Sequence, residues 1–219
     1  MAATVFTIAQ QKGGAGKTTL AAQLAVHWAG SNKKVAILDI DPQASLTSWH
    51  MARRRSLADQ DAGGIHLSTV AGWRLSTELD RLRKDFDVVI VDSPPHAETE
   101  AKAAIRAADL VLVPVQPSPM DLWAIGPTLD VARKEKRDFL LVLNRMPPRG
   151  SLPERVIAKL QEDELPVAEA ALGNRQAFAS SMMDGRGVTE TAPRSPAARE
   201  LRALADEARA LAQSLTKGK

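Results

Sequence analysis

Two lysines, three glycines and two threonines fall within nine residues, Gln11-Lys12-Gly13-Gly14-Ala15-Gly16-Lys17-Thr18-Thr19. Glycines let consecutive backbone N–H groups turn onto an anion, and a helix N-terminus behind them adds partial positive charge. In such a loop Lys17 would reach the β- and γ-phosphates of a nucleotide, and the Thr18 hydroxyl would ligate Mg²⁺. The flanks suit that chemistry. Residues 4–9 are β-branched and apolar, a buried strand, and residues 20–29 read as a helix. Further on, the apolar run 35–41 ends in Asp39 and Asp41, and the run 86–92 ends in Asp92. A buried strand that ends in aspartate behind a phosphate loop holds Mg²⁺ through its water shell. In an open parallel sheet, ligands sit at these C-terminal strand ends.

The general pattern GxxxxGK(S/T) asks for glycine at position 11, where this chain has Gln11 followed by a second lysine, Lys12. The form KGGxGKT resembles the deviant Walker A box of the ParA/MinD family of dimerising ATPases. The resemblance implies that Lys12 crosses a dimer interface to the partner's nucleotide. Asp41-Pro42-Gln43-Ala44-Ser45 resembles that family's first switch, which implies that Asp41 places the attacking water and that Asp39 contributes to the Mg²⁺ shell. Asp92-Ser93-Pro94-Pro95 resembles its second switch. Asn144, at the end of an apolar run over 139–144, matches an asparagine that reads the purine. Arg145-Met146 follow, so the guanine signature NKxD is absent and ATP is favoured. The nucleotide set implied is Gly13, Gly14, Ala15, Gly16, Lys17, Thr18, Thr19 and Asn144. Catalysis falls to Lys12, Lys17 and Asp41, and Mg²⁺ to Thr18, Asp39 and Asp92.

The elements that position these residues alternate strand and helix. This predicts an α/β fold, a mostly parallel twisted sheet with helices on both faces, in one domain over residues 1–219. The first helix is expected to end at a Gly30 cap. Residues 65–70 read as a short edge strand, with His66 facing solvent. The spacing of Leu75, Leu79 and Leu82 predicts a helix, as does residues 98–108; 110–115 reads as a buried strand. Residues 116–123, with Pro117 and Pro119, read as a stiff extended turn. They resemble the proline loop of short ParA proteins and equally suit a plain strand-to-helix connection. A helix follows over 152–162. Around residues 172–179 the family has an arginine that opens a helix. Ser195 and Pro196 cap a last helix whose Leu201, Leu204, Ala208, Leu211 and Leu215 share one face. Arg53-Arg54-Arg55 fits either a solvated face or a polyanion contact.

Composition removes several relatives. With no cysteine among 219 residues, iron–sulfur chemistry and disulfides are excluded, and so are the nitrogenase iron protein and the iron–sulfur scaffold ATPases. With no tyrosine, the tyrosine kinases that share this box are disfavoured. No signal peptide and no 20-residue apolar run is present, so a cytoplasmic protein is expected, nucleoid-associated in its ATP state. The net charge of +3 is small, so any polyanion site must come from clustering.

The resemblance implies an ATP-dependent homodimer that binds non-specific DNA and positions a cargo, with hydrolysis accelerated by an activating or adaptor protein. Arg175, Arg186, Arg194, Arg199 and Arg202 are the candidate DNA contacts. Two alternatives remain. A MinD-like membrane ATPase needs a basic, bulky apolar tail, and residues 203–219 are alanine-rich, so no stable membrane association is expected. A small-molecule ATP-dependent ligase of the dethiobiotin synthetase type would need a substrate pocket.

Overall fold

The computed structural model describes residues 3–95 and 98–217. Six strands form one sheet: β1 Thr4–Ile8, β2 Val35–Asp39, β3 Ile65–Thr69, β4 Val88–Asp92, β5 Leu110–Val115 and β6 Phe139–Leu143. Their order is β3-β2-β4-β1-β5-β6, and every neighbouring pair is parallel. The helices are α1 Lys17–Gly30, α2 Ser45–Leu57, α3 Leu75–Asp85, α4 Glu98–Ala107, α5 Pro119–Lys134, α6 Ser151–Glu162, α7 Gln176–Met183, α8 Val188–Thr191 and α9 Pro196–Lys217.

The inner strands are continuous apolar runs because both of their faces are covered. Phe6, Ile8, Ile37, Ile90 and Leu112 point to one side, into a core completed by α1, α2, α7, α8 and α9. Val5, Leu38, Val89 and Val91 alternate to the other side, onto α3 and α4. Val111, Val113, Leu141 and Leu143 on that same side meet α5 and α6. Leu201, Leu204, Ala205, Ala208 and Ala212 of α9 are buried against α1 and its neighbours. Each fully buried leucine there contributes about 2 kcal/mol.

The expected α/β architecture is what forms, with local corrections. Gly30 is the last residue of α1, and the left-handed conformation falls on Asn32 (φ 59°). β2 stops at Asp39, because Asp39 turns its carboxylate onto the backbone of the following loop. Residues 116–123 are not an extended turn throughout. Ser118 caps α5 by accepting the Asp121 N–H (3.1 Å), and Pro119 takes the first helical turn, where its missing N–H costs nothing. α5 then continues through Gly126 and Pro127. The bond that Pro127 cannot donate frees the Trp123 carbonyl, and both residues lie on the exposed face, open to solvent. The short helix α8 had no periodic signal at all.

Candidate nucleotide and metal site

The loop between β1 and α1 sits at the middle of the sheet's C-terminal edge, because β1 lies between β4 and β5. Gly14 (φ 77°) and Gly16 (φ 97°) take left-handed conformations. A Cβ on Gly16 would stand 2.5 Å from Asn144 Nδ2, so only glycine fits there. Three later segments hold the loop from outside. Gln116 Nε2 donates to the Gly14 carbonyl (2.8 Å) and Asn144 Nδ2 to the Ala15 carbonyl (2.8 Å). Lys12 Nζ donates to Asp121 Oδ2 of α5 (2.6 Å). Sequence reasoning missed Gln116 and Asp121. The spacing Ser118-x-x-Asp121 behind a proline, a helix-start signature, is the signal that could have found the latter.

Lys17 opens α1 and is buried. Burial lowers its pKa, and the charges of Asp92 and Asp41 act in the opposite direction. Thr18 Oγ1 donates to Asp92 Oδ2 (2.6 Å). Asp92 is fully buried, and its Oδ1 has no hydrogen-bond partner. Burial pushes its carboxyl up to about 7; the Thr18 hydroxyl opposes this, Asp39 adds to it, Lys17 opposes and Asp41 adds. An orphaned carboxylate oxygen beside a threonine hydroxyl suits Mg²⁺, which takes one or two protein oxygens and fills its shell from phosphates and water. Among the described residues no group of three or more His, Asp or Glu side chains could hold a metal by itself.

Asp39 lies beside Asp92 in the β2–β4 register. Both of its oxygens are occupied: Oδ2 accepts from Thr47 N (2.8 Å) and Oγ1 (2.7 Å), and Oδ1 from Asp41 N (3.1 Å). It anchors the first turn of α2 and makes no direct contact with Thr18. Asp41 accepts the Gln43 N–H (2.9 Å) and remains half-buried near Lys17. A cleft of about 220 Å³ runs from Gly16 and Thr19 past Asn144 to Asn174, Arg175 and Phe178. Asn144 stands on its wall. Asn144 Oδ1 accepts the Arg145 N–H (2.9 Å), so both ends of the amide are spoken for in this state.

The structure separates the five arginines. Arg175 immediately precedes α7, lines the cleft and binds Glu200 through Nε (2.9 Å). Arg186 donates to Ser56 Oγ (3.1 Å), and Arg199 to the Arg194 carbonyl (2.9 Å). Arg186, Arg194, Arg199 and Arg202 make no ion pair among the described residues. The run at 53–55 also divides. Arg54 and Arg55 are exposed, whereas Arg53 is buried and grips Glu190 with two nitrogens (2.9 and 2.7 Å).

A parallel sheet with a deviant glycine-rich loop at its centre, an inward lysine and a strand-end aspartate defines a P-loop nucleotide-binding domain. Residues 6–188 match the CobQ/CobB/MinD/ParA nucleotide binding domain, and the chain belongs to that family. It is 28% identical to the maintenance of carboxysome distribution protein A of Halothiobacillus neapolitanus, over 90% of this chain and 91% of the relative. It is 29% identical to the chromosome-partitioning ATPase Soj of Thermus thermophilus, over 95% and 96%. The fold resembles a Cyanothece McdA variant in complex with ATP (TM-score 0.78, 21% identity, 95% and 96% covered). It equally resembles MinD of Pyrococcus horikoshii complexed with Mg-ADP (0.79, 20%, 97% and 98%). Cobyrinic acid a,c-diamide synthase of Mycobacterium smegmatis, with ADP and magnesium, shares the architecture too (0.76, 22%, 99% and 97%). At these identities the structural likenesses speak to fold alone.

Proposed function

We propose that this chain is a switch ATPase that dimerises on ATP, binds non-specific DNA in that state and positions a cargo. The observation that carries the proposal is the division of labour between the two loop lysines. Lys17 is buried and turned towards Asp92 and Asp41. Lys12 leaves the same loop in another direction, towards α5, and its side chain stays 34% exposed. One lysine serves the subunit's own nucleotide, and the other, once it leaves Asp121, serves a second copy's. Asp41 orients the attacking water. As a weak base it leaves turnover slow and open to acceleration by an activating or adaptor protein. Mg²⁺ on Thr18 and Asp92 would neutralise charge on the transferring phosphoryl group.

The names of the sequence relatives, carboxysome distribution and chromosome partitioning, support a positioning role, in the cytoplasm on the nucleoid. DNA contact falls to Arg186, Arg194, Arg199 and Arg202, the four candidates without an ion pair. A membrane role is disfavoured because the leucine face of α9 is already packed on the core, and no described helix is long and apolar enough to cross a membrane. The ligase alternative keeps the support of the fold and of the CobQ/CobB part of the family description, and of none of the named sequence relatives cited above.

The test is DNA binding by Asp41→Ala and Lys17→Ala with ATP and Mg²⁺ at two salt concentrations. Asp41→Ala is expected to hold DNA tightly at low salt, and Lys17→Ala not to bind. Dimerisation of Asp41→Ala on ATP without DNA binding would remove the DNA part of the proposal. ADP release stimulated by a small substrate alone would favour the ligase.

A further inference from the structure

We propose that Asp121 is a tether that keeps Lys12 folded back on its own subunit and so sets the threshold for ATP-driven dimerisation. The inference rests on the dimer reading above and adds to it the group that restrains the crossing lysine.

The geometry has three parts. Lys12 Nζ lies 2.6 Å from Asp121 Oδ2, across 109 residues of sequence. The acid is 1% exposed and the lysine 34%, so one partner is fixed and the other is at the surface. Asp121 is also held independently of Lys12: the Ser118 hydroxyl donates to Oδ2, its own N–H returns a bond to Ser118 Oγ, and it sits in the first turn of α5. A carboxylate there is favoured by the helix N-terminus.

These features suit a reversible contact better than a structural one. Lys12 contributes a flexible four-carbon stem, and no apolar packing depends on its ammonium. When it leaves, Asp121 keeps Ser118 and the helix terminus, but it loses its one ion-pair partner among the described residues, in a buried place where Oδ1 already lacks a partner. Release therefore costs free energy that the dimer must supply, without making release prohibitive. Lys12 cannot bond Asp121 and a phosphate in another subunit with the same reach, so the tether and the crossing compete. Removing the tether should favour the dimer by about tenfold in concentration, the scale of a modest, half-exposed ion pair.

Two measurements test this. The first is trace acetylation of the nucleotide-free protein, read by mass spectrometry at Lys12. Asp121→Asn keeps the shape and both bonds to Ser118, and it should raise Lys12 labelling severalfold over wild type while other lysines are unchanged. Equal labelling would overturn the tether. The second is sedimentation with a non-hydrolysable ATP analogue and Mg²⁺. Asp121→Asn should dimerise at about one-tenth of the wild-type concentration, and in a Lys12→Ala background it should gain nothing. Asp121→Ala, a second route to the same loss, should shift the midpoint in the same direction. If wild type dimerises and neither variant does so more readily, the tether is wrong and the switch stands. If no chain dimerises, wild type included, the switch reading falls and takes the tether with it.

Discussion

Arg53→Ala should be far more damaging than the same change at either neighbouring arginine. Arg53 Nε donates to the Ala62 carbonyl (2.8 Å), and one terminal nitrogen donates to the Gly185 carbonyl (3.1 Å). The two terminal nitrogens also form a paired contact with Glu190 (2.9 and 2.7 Å). The Gly185 turn packs directly on the α2 backbone: a Cβ at Gly185 would fall 2.0 Å from Arg53 N. Truncation leaves two carbonyls unpaired and Glu190 without its cation, with only the Gly187 N–H still bonded to it (3.2 Å). Breaking a buried pair by removing one partner costs about 3–5 kcal/mol. The Glu190 side chain is 28% exposed, so water recovers part of this, and about 3 kcal/mol is the working figure. For a chain of this size that is a fall of about 6–12 °C in melting temperature. Arg54→Ala and Arg55→Ala, exposed on α2, should move it by no more than about 2 °C. Burial raises the Glu190 pKa, but the contact with Arg53 outweighs it and holds the carboxyl below its ordinary value. A depressed carboxylate stabilises the fold fully above its unfolded pKa and loses that contribution as pH falls through the folded one. Wild type should therefore lose this increment on acidification below about pH 4.5, and Arg53→Ala should have none to lose. Thermal unfolding followed by circular dichroism at pH 7 and pH 4 reads both effects. An Arg53→Ala melt within 2 °C of wild type, or an equal loss in Arg54→Ala, would refute the reasoning.

The Asp92 carboxyl, pushed up to about 7 by burial, carries the opposite sign. Without divalent ion the folded state keeps that proton above the usual carboxylate range, so stability should fall as pH rises towards 7, by at most about 1.4 kcal/mol per pH unit. Asp92→Asn should flatten this part of the profile in urea titrations between pH 5 and 8, and parallel profiles would exclude Asp92 as its source. On DNA, Arg194→Ala or Arg202→Ala should each lower the slope of log affinity against log salt by about 1. Arg175→Ala should leave the slope unchanged, because its charge is already bound to Glu200. Equal changes in all three would place Arg175 on the DNA.

What was legible in the chain was local or repetitive. The glycine loop needs contiguous residues, and the sheet strands announce themselves because burial on both faces demands unbroken apolar runs. Ser195 before Pro196 marked the start of α9, and its side chain accepts the Ala198 N–H (3.2 Å). Illegible features depend on partners distant in sequence. Nothing in Arg53-Arg54-Arg55 says which arginine meets a glutamate 137 residues later. Helical geometry separates the three by 100° each, and only tertiary packing decides which one faces inward. Asp39 and Asp41 stand at one strand end, and only the family resemblance gives them different roles, the Mg²⁺ shell and the attacking water. The structure spends the first on Thr47 and Asp41 N and leaves the second beside Lys17.

The prolines misled for a related reason. Pro114, Pro117 and Pro119 suggest a stiff extended turn over residues 116–123, yet α5 begins at Pro119 and runs on through Pro127. A proline inside a helix loses one bond and crowds the carbonyl four residues back, and here both Pro127 and Trp123 lie on the exposed face, where the helix can bend away and the freed carbonyl is open to solvent. That continuity carries functional weight. Were residues 116–123 extended throughout, Asp121 would have no helix N-terminus to stabilise its charge, and Lys12 would have no fixed partner. The rigid first turn of α5 lets a surface lysine be held at one address until a second subunit offers another.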